Sequence, residues 1–251
     1  MPDGGEKMQA PSNGYAQYHG EDARLLDTFS GDQLEILSED GLSVALMLPT
    51  QGGRAVGVEV THTSEIGSGA LEVGLSSVLE VGAVLGISTP GYESQLHSQT
   101  TGLDIAISQK LGGNSVLRLA GQYGNATATG AGVIDSFTGI TYTGFGLEVD
   151  NANLFSTGDV FTVFARQPIG ITSGSASLNL ATRRVNANSY EFSNFDIDLS
   201  PSSRQLDVGF SYRTAIGNNT EVMLGLTYTE NRGNITDARE TVGLAAVQLR
   251  F

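Results

Sequence analysis

Cysteine is absent, so neither a disulfide framework nor a cysteine metal site can form. Lys and Arg together number only 13 against 27 Asp and Glu, a formal net charge of −14. Such a chain is repelled by phosphate backbones and by anionic membrane surfaces, and no basic patch compensates, which argues against nucleic acid or peripheral lipid binding. No run of about 18 apolar residues occurs, which excludes a transmembrane helix. It does not exclude a transmembrane strand, whose signal is only a ten-residue alternation. Residues 1–20 are polar and acidic and lack the charged start and apolar core of a secretory signal, so an exported chain would here be a fragment, a processed piece or a misassigned start. Tryptophan is also missing.

What the chain does have is glycine, 33 of its 251 residues, and a regular alternation of apolar and small or polar residues. The length suits one large β domain. Residues 1–42 differ from the rest, with nine acidic side chains against Lys7 and Arg24, and read as linker. Within them Leu25, Leu26 and Phe29 suggest a short helix over 21–29, and Leu34 with Ile36 suggests the start of a strand. From Ser43 the alternation becomes continuous and predicts a domain over 43–251. Val44, Leu46 and Leu48 come first, then Val56, Val58 and Val60, then one long strand from Leu71 to Ile87 whose phase never slips.

The same rule runs through Leu103 to Ile107, Leu117 to Tyr123, a weak strand over 131–137, and Phe145 to Val149. It continues through Phe161 to Ala165, Ala176 to Leu180, Leu206 to Tyr212, Val222 to Tyr228, and 241–251. The count is twelve, an even number that a closed antiparallel barrel requires. Gly112-Gly113, Thr138-Gly139 and Gly217-Asn218 read as tight turns. The longer connections are expected at 89–100, 125–130, 151–157, 184–202 and 231–239, all on the opposite rim, the asymmetry of outer-membrane barrels.

The phase opposite the apolar residues is largely Gly, Ala and Ser, relieved by Glu59, Glu72, Glu80, Asp104, Arg118, Glu148, Arg166, Asp207, Arg213, Glu221 and Arg250. A soluble sandwich would cover its outer faces with Lys, Glu and Thr, yet lysine occurs only at Lys7 and Lys110. Small residues with mixed charges suit a crowded, wet lumen. These charged residues are therefore expected to face the lumen, and interface girdles would rest on Tyr123, Tyr142, Tyr212, Tyr228, Phe210 and Phe251. The expected fold is all-β, a twelve-stranded antiparallel transmembrane β-barrel with a short N-terminal linker or helix.

The run Gly158-Asp159 through Gln167-Pro168 to Ser173-Gly174-Ser175-Ala176, the stretch 198–207 with Ser200-Pro201 and Arg204-Gln205-Leu206-Asp207, and Ser77 to Gly82 resemble the translocator barrels of autotransporters that carry subtilisin-like serine protease passengers. The chain departs from that pattern at Ile169-Gly170-Ile171, Ser203 and Gln205. The resemblance covers about Ser43 to the end. It implies an outer-membrane location in a Gram-negative bacterium, lipid and the barrel assembly machinery as partners, and a covalent N-terminal passenger. It also implies that the closing strand, with Val247, Leu249 and the terminal Phe251, is the assembly signal; closure of the twelve strands read above would pair that strand with the one near Ser43. Residues 1–42 would supply the segment threaded through the lumen.

No catalytic site is expected. His19, His62 and His97 lack a nucleophile motif. Asp196, Asp198 and Glu191 match no EF-hand spacing and read as a solvated acidic loop. Gly130-Ala131-Gly132 and Gly144-Phe145-Gly146 lack the remainder of a dinucleotide fingerprint, so no cofactor is expected. Two other readings remain open at this point: a standalone small porin or adhesin-like barrel, and a soluble β-sandwich binding module.

Overall fold

The computed structural model describes residues 31–49, 55–85, 87–88, 95–187, 189–217 and 219–249. Twelve antiparallel strands form one sheet. They are β1 (Gly31–Glu39), β2 (Leu42–Pro49), β3 (Ala55–Ile66), β4 (Gly69–Val81), β7 (His97–Gly112), β8 (Ser115–Ala131), β9 (Ile134–Ala152), β10 (Val160–Asn186), β11 (Ser189–Asp198), β12 (Leu206–Ile216), β13 (Thr220–Glu230) and β14 (Arg239–Leu249). A separate two-residue hairpin, β5 (Ala83–Val84) with β6 (Ile87–Ser88), sits in the β4–β7 connection. The described residues contain no α-helix, only a 3₁₀ turn at Arg232–Asn234. The helix expected over 21–29 lies outside the described residues.

The twelve strands are not the twelve read from the sequence. The sheet begins at Gly31, inside the segment read as linker, where Leu34 faces Leu46 and Leu37 faces Val44. The apolar runs 161–165 and 176–180 are one strand, β10, carried past Pro168 by register shifts opposite β9. A proline has no ladder donor, so it sits where the pairing is already broken. The weak strand at 131–137 is the tip of the β8–β9 hairpin, and Thr138-Gly139 lies within β9. Gly139 has a φ of 62°, and the register slips there against Ser173 and Ser175. It makes a β-bulge, which uses the same left-handed glycine as a turn. The long strand over 71–87 ends at Val81, because Gly82 at φ 85° and Leu85 at φ 51° turn the chain without disturbing the apolar phase.

Gly112-Gly113 does turn between β7 and β8, both residues at positive φ. Successive strands alternate in direction, so the connections divide between two ends. At the turn end lie Asp40-Gly41, Gly67-Ser68, 112–114, 153–159 and the β12–β13 turn. At the loop end lie the described residues of the β4–β7 connection, the β8–β9 and β10–β11 tips, and 231–238. The loop at 153–159 therefore opens on the same side as Gly112-Gly113, not with 231–238 as expected. The loop end is also where β8, β9, β10 and β11 extend furthest.

β11 and β12 both pair with β10 on the same side, one after the other, so together they cross the sheet once. Twelve strands thus make eleven crossings, and the edge strands β1 and β14 run in the same direction. Both neighbours of β2 are taken, by β1 and β3, so the last strand does not pair with the one near Ser43. Among the described residues no ladder joins β14 to β1.

Candidate functional site

The register fixes which side chains share a face, because residues directly opposite each other in a ladder point the same way. One row runs Leu71, Ile107, Leu119, Leu147, Ala165, Val208 and Tyr228 across seven strands. A second runs Val44, Val60, Leu75 and Leu103. This apolar face is the exposed one: Leu75 is 60% accessible and Leu224 46%, and Val56, Ile105, Phe145, Val163, Phe210, Leu226, Val247 and Leu249 are exposed with them.

Towards the loop end the same face turns polar at His97, Gln99 and Thr101 on β7 and at Asn125, Thr127 and Thr129 on β8. At the turn end Ile66, Leu111 and Ile216 are exposed on this face, interspersed by register with Ser64, Gln109, Ser115, Asn151 and Thr214. The apolar surface is thus a band with a defined upper edge.

The opposite face is polar and covered over part of its extent. The row beside the first one reads Thr63, Glu72, Ala106, Ala120, Gly146, Arg166, Asp207 and Thr229. Glu59 is 2% exposed, Asp207 2%, and Thr61, Ser98, Gln122, Glu148 and Thr162 are buried. All ten described members of the expected charged set, Glu59, Glu72, Glu80, Asp104, Arg118, Glu148, Arg166, Asp207, Arg213 and Glu221, occupy this face by register. Arg250 and Phe251 lie outside the described residues. Val247 and Leu249 stand on the exposed face of β14, Val247 opposite Val222.

The structure joins several of these charges. Arg118 donates to Glu148 at 2.8 Å and also bonds Asp150, which accepts from Thr162 at 2.6 Å. Arg166 Nε bonds Asp207 Oδ2 at 3.0 Å, while Gln205 and Thr229 donate to Asp207 Oδ1 at 2.9 and 2.8 Å. Arg213 pairs with Glu221 at 3.6 Å. Burying a carboxylate is costly unless it is paired and hydrogen-bonded, and Asp207 has a guanidinium and two neutral donors.

Three features escape sequence reasoning. Tyr142, expected at an interface girdle, is wholly buried on the polar face, its hydroxyl donating to Thr101 O at 3.3 Å. It lies over Gly102 and Gly124, whose missing side chains make the room. Arg204 donates to Thr143 O and Pro168 O at 2.8 and 2.9 Å, tying the 199–205 segment to the β9–β10 irregularity. At the loop end, Val84 and Leu96 fold over Ala126, Ala131 and Ile140, so the β4–β7 connection covers part of the polar face with a small apolar cluster.

Asp159 organises the 153–159 loop. It is 0% exposed and accepts from the backbone N–H of Leu154, Phe155 and Ser156 at 2.8, 2.9 and 2.7 Å and from the Tyr212 hydroxyl at 3.1 Å. Burial opposes its ionisation, but the N–H groups of Ser156, Phe155 and Leu154 and the Tyr212 hydroxyl outweigh it and hold the carboxyl below its usual range.

The acids read as a solvated loop are placed differently: Glu191, Asp196 and Asp198 belong to strand β11, and Asp198 accepts from the Ser200 hydroxyl and N–H. Among the described residues no three His, Asp or Glu side chains gather as metal ligands. His62 bonds Ser64 at 2.9 Å, and the His97 N–H donates to Thr129.

Comparison with models of protein families, with characterised proteins and with solved structures finds no match.

Proposed function

We propose that the chain is an outer-membrane β-barrel acting as the translocator part of an autotransporter, a hydrated pore and anchor for a covalent N-terminal passenger. The observation that carries the membrane reading is the inverted sheet: its apolar face is exposed and its polar face is buried over part of its extent. In water, each half-exposed large side chain of that face forgoes roughly 1 kcal/mol of burial. Summed over the band, this exceeds the net stability of about 5–15 kcal/mol that a domain has to spare. Against lipid the same face costs nothing, and the ladders satisfy the backbone groups of the strands between β1 and β14.

Closing an antiparallel meander takes an even number of crossings. The proposed barrel therefore holds one more crossing between β14 and β1 than the eleven described, making its seam antiparallel like every other. The translocator reading rests on the resemblance of 158–176 and 198–207, not on the geometry. A standalone adhesin-like barrel is the second reading, favoured by the β10–β11 hairpin, which projects at the loop end with Tyr190, Phe192 and Phe195 exposed.

The test places a secreted reporter before Met1 behind an export signal in a Gram-negative host. A translocator presents the reporter on the cell surface, with the barrel heat-modifiable in the outer-membrane fraction. A membrane-inserted barrel whose reporter stays periplasmic would leave the standalone reading. A chain found only in soluble fractions would end both.

A further inference from the structure

The band's lower edge carries a feature that the alternation does not require. Phe155, in the loop between β9 and β10, is 71% exposed, and its neighbour Leu154 is exposed beside it. Loops usually keep such side chains out of water or leave them mobile, but here the backbone of both residues is fixed by the buried Asp159 carboxylate. A second bond, from the Gly158 N–H to Asn153 Oδ1 at 2.6 Å, closes the loop from its other side, with Asn153 and Gly158 at φ 55° and 86°. The ring of Phe155 meets Phe161 and Tyr212 edge-on, with centroids 6.1 and 5.6 Å apart, and Phe161 in turn packs on Phe210 at 5.9 Å.

Phe161, Phe210 and Tyr212 all belong to the apolar face, so Phe155 extends that face past the last ladder pair. Leu111 and Ile216, beside the two flanking turns of that end, are exposed as well. Transmembrane barrels carry girdles of aromatic residues at the boundary between headgroups and acyl chains, and in this cluster Tyr212 adds a polar tip to the apolar rings.

From this we infer that the 153–159 loop is a rigid lipid anchor. Phe155 and Leu154 insert at the headgroup–acyl boundary, Asp159 holds them there, and the loop sets the depth of the barrel's turn end. The inference rests on the membrane reading. Its occupant is lipid, because the cluster is continuous with the band and offers no charged side chain to a partner.

The absence of tryptophan makes a clean test. Phe155→Trp, in the full chain refolded into phosphatidylcholine vesicles, should emit at blue-shifted wavelengths and be quenched most by bromines placed shallowly on the acyl chains. Leu154→Trp repeats the measurement should that variant fold poorly. Leu226→Trp, in mid-band, should be quenched most by deep bromines, and Tyr190→Trp, on the projecting hairpin, by none. Adding Asp159→Ala to Phe155→Trp should shift emission to the red and blur the depth preference. If Phe155→Trp behaves like Tyr190→Trp while Leu226→Trp is quenched, the anchor is refuted and the barrel stands. If Leu226→Trp also escapes quenching, the membrane reading falls and the anchor with it.

Discussion

Asp207 is the residue on which the polar face depends most clearly. Removing its carboxylate takes from Arg166, whose side chain is 15% exposed, the ion pair at 3.0 Å, and takes from Gln205 and Thr229 the oxygen that accepts from both. Breaking one side of a buried pair costs about 3–5 kcal/mol. Asp207→Ala should lower the urea midpoint of the detergent-refolded protein accordingly, and a variant unchanged within 1 kcal/mol, on the order of a surface pair's worth, would place Asp207 in open solvent. Alternation put Asp207 and Arg166 on one phase but could not show that they face each other, since that needs the β10–β12 register.

Asp159 makes a prediction of a different kind. Its folded-state ionisation lies below the ordinary carboxylate range, so its contribution to stability is complete above that range and disappears as pH falls through the folded value. Unfolding midpoints measured from pH 7 down to pH 3 should fall less steeply in Asp159→Asn than in the parent. Parallel curves would show that the loop does not depend on the charge. Asp159 stood out in the sequence only by resemblance, because three backbone donors are invisible in side-chain patterning.

At the scale of the element, alternation within a strand was fully legible and its ends were not. The phase through 103–107, 117–123 and 222–228 matches the exposed faces of β7, β8 and β13. The errors fall where a left-handed residue or a bulge intervenes, as at Gly82 and Gly139, since neither alters the period of two. Glycine also misled by doing unlike jobs. A Cβ at Gly124 would overlap Thr101 O and the Tyr142 hydroxyl, whereas one at Gly121 meets nothing within 4 Å. Gly124→Ala should therefore destabilise by about 1–3 kcal/mol, with Gly121→Ala near neutral, in the same urea assay. Equal effects would mean that Tyr142 does not occupy the face as described.

At the scale of the whole molecule, the all-β class and the separation of apolar from charged faces followed from the sequence, because both depend on period alone. The order of crossings did not. Strand count came out at twelve by compensation: β1 and β11 were gained where the 131–137 strand and the division of β10 were lost. Only pairing shows that β11 and β12 share one crossing. The added crossing in the proposed barrel would hold β1 and β14 about 10 Å apart. The chain's lack of cysteine allows a direct check, in which Leu37→Cys paired with single cysteines along 243–249 should not form a disulfide in vesicles. High-yield oxidation would mean that the two edges meet directly.

The central claim is that the exposed apolar face meets lipid and the buried polar face does not. Substituting arginine on each face measures it within one strand. Leu226 and Thr227 are adjacent on β13 but face opposite ways, opposite Gly243 and Val242 of β14. In the refolded, vesicle-inserted protein, Leu226→Arg should lose about 2–4 kcal/mol of folding free energy, the value for a charge at the bilayer midplane, while Thr227→Arg loses less than half as much. A harmless Leu226→Arg, or a costlier Thr227→Arg, would contradict the account.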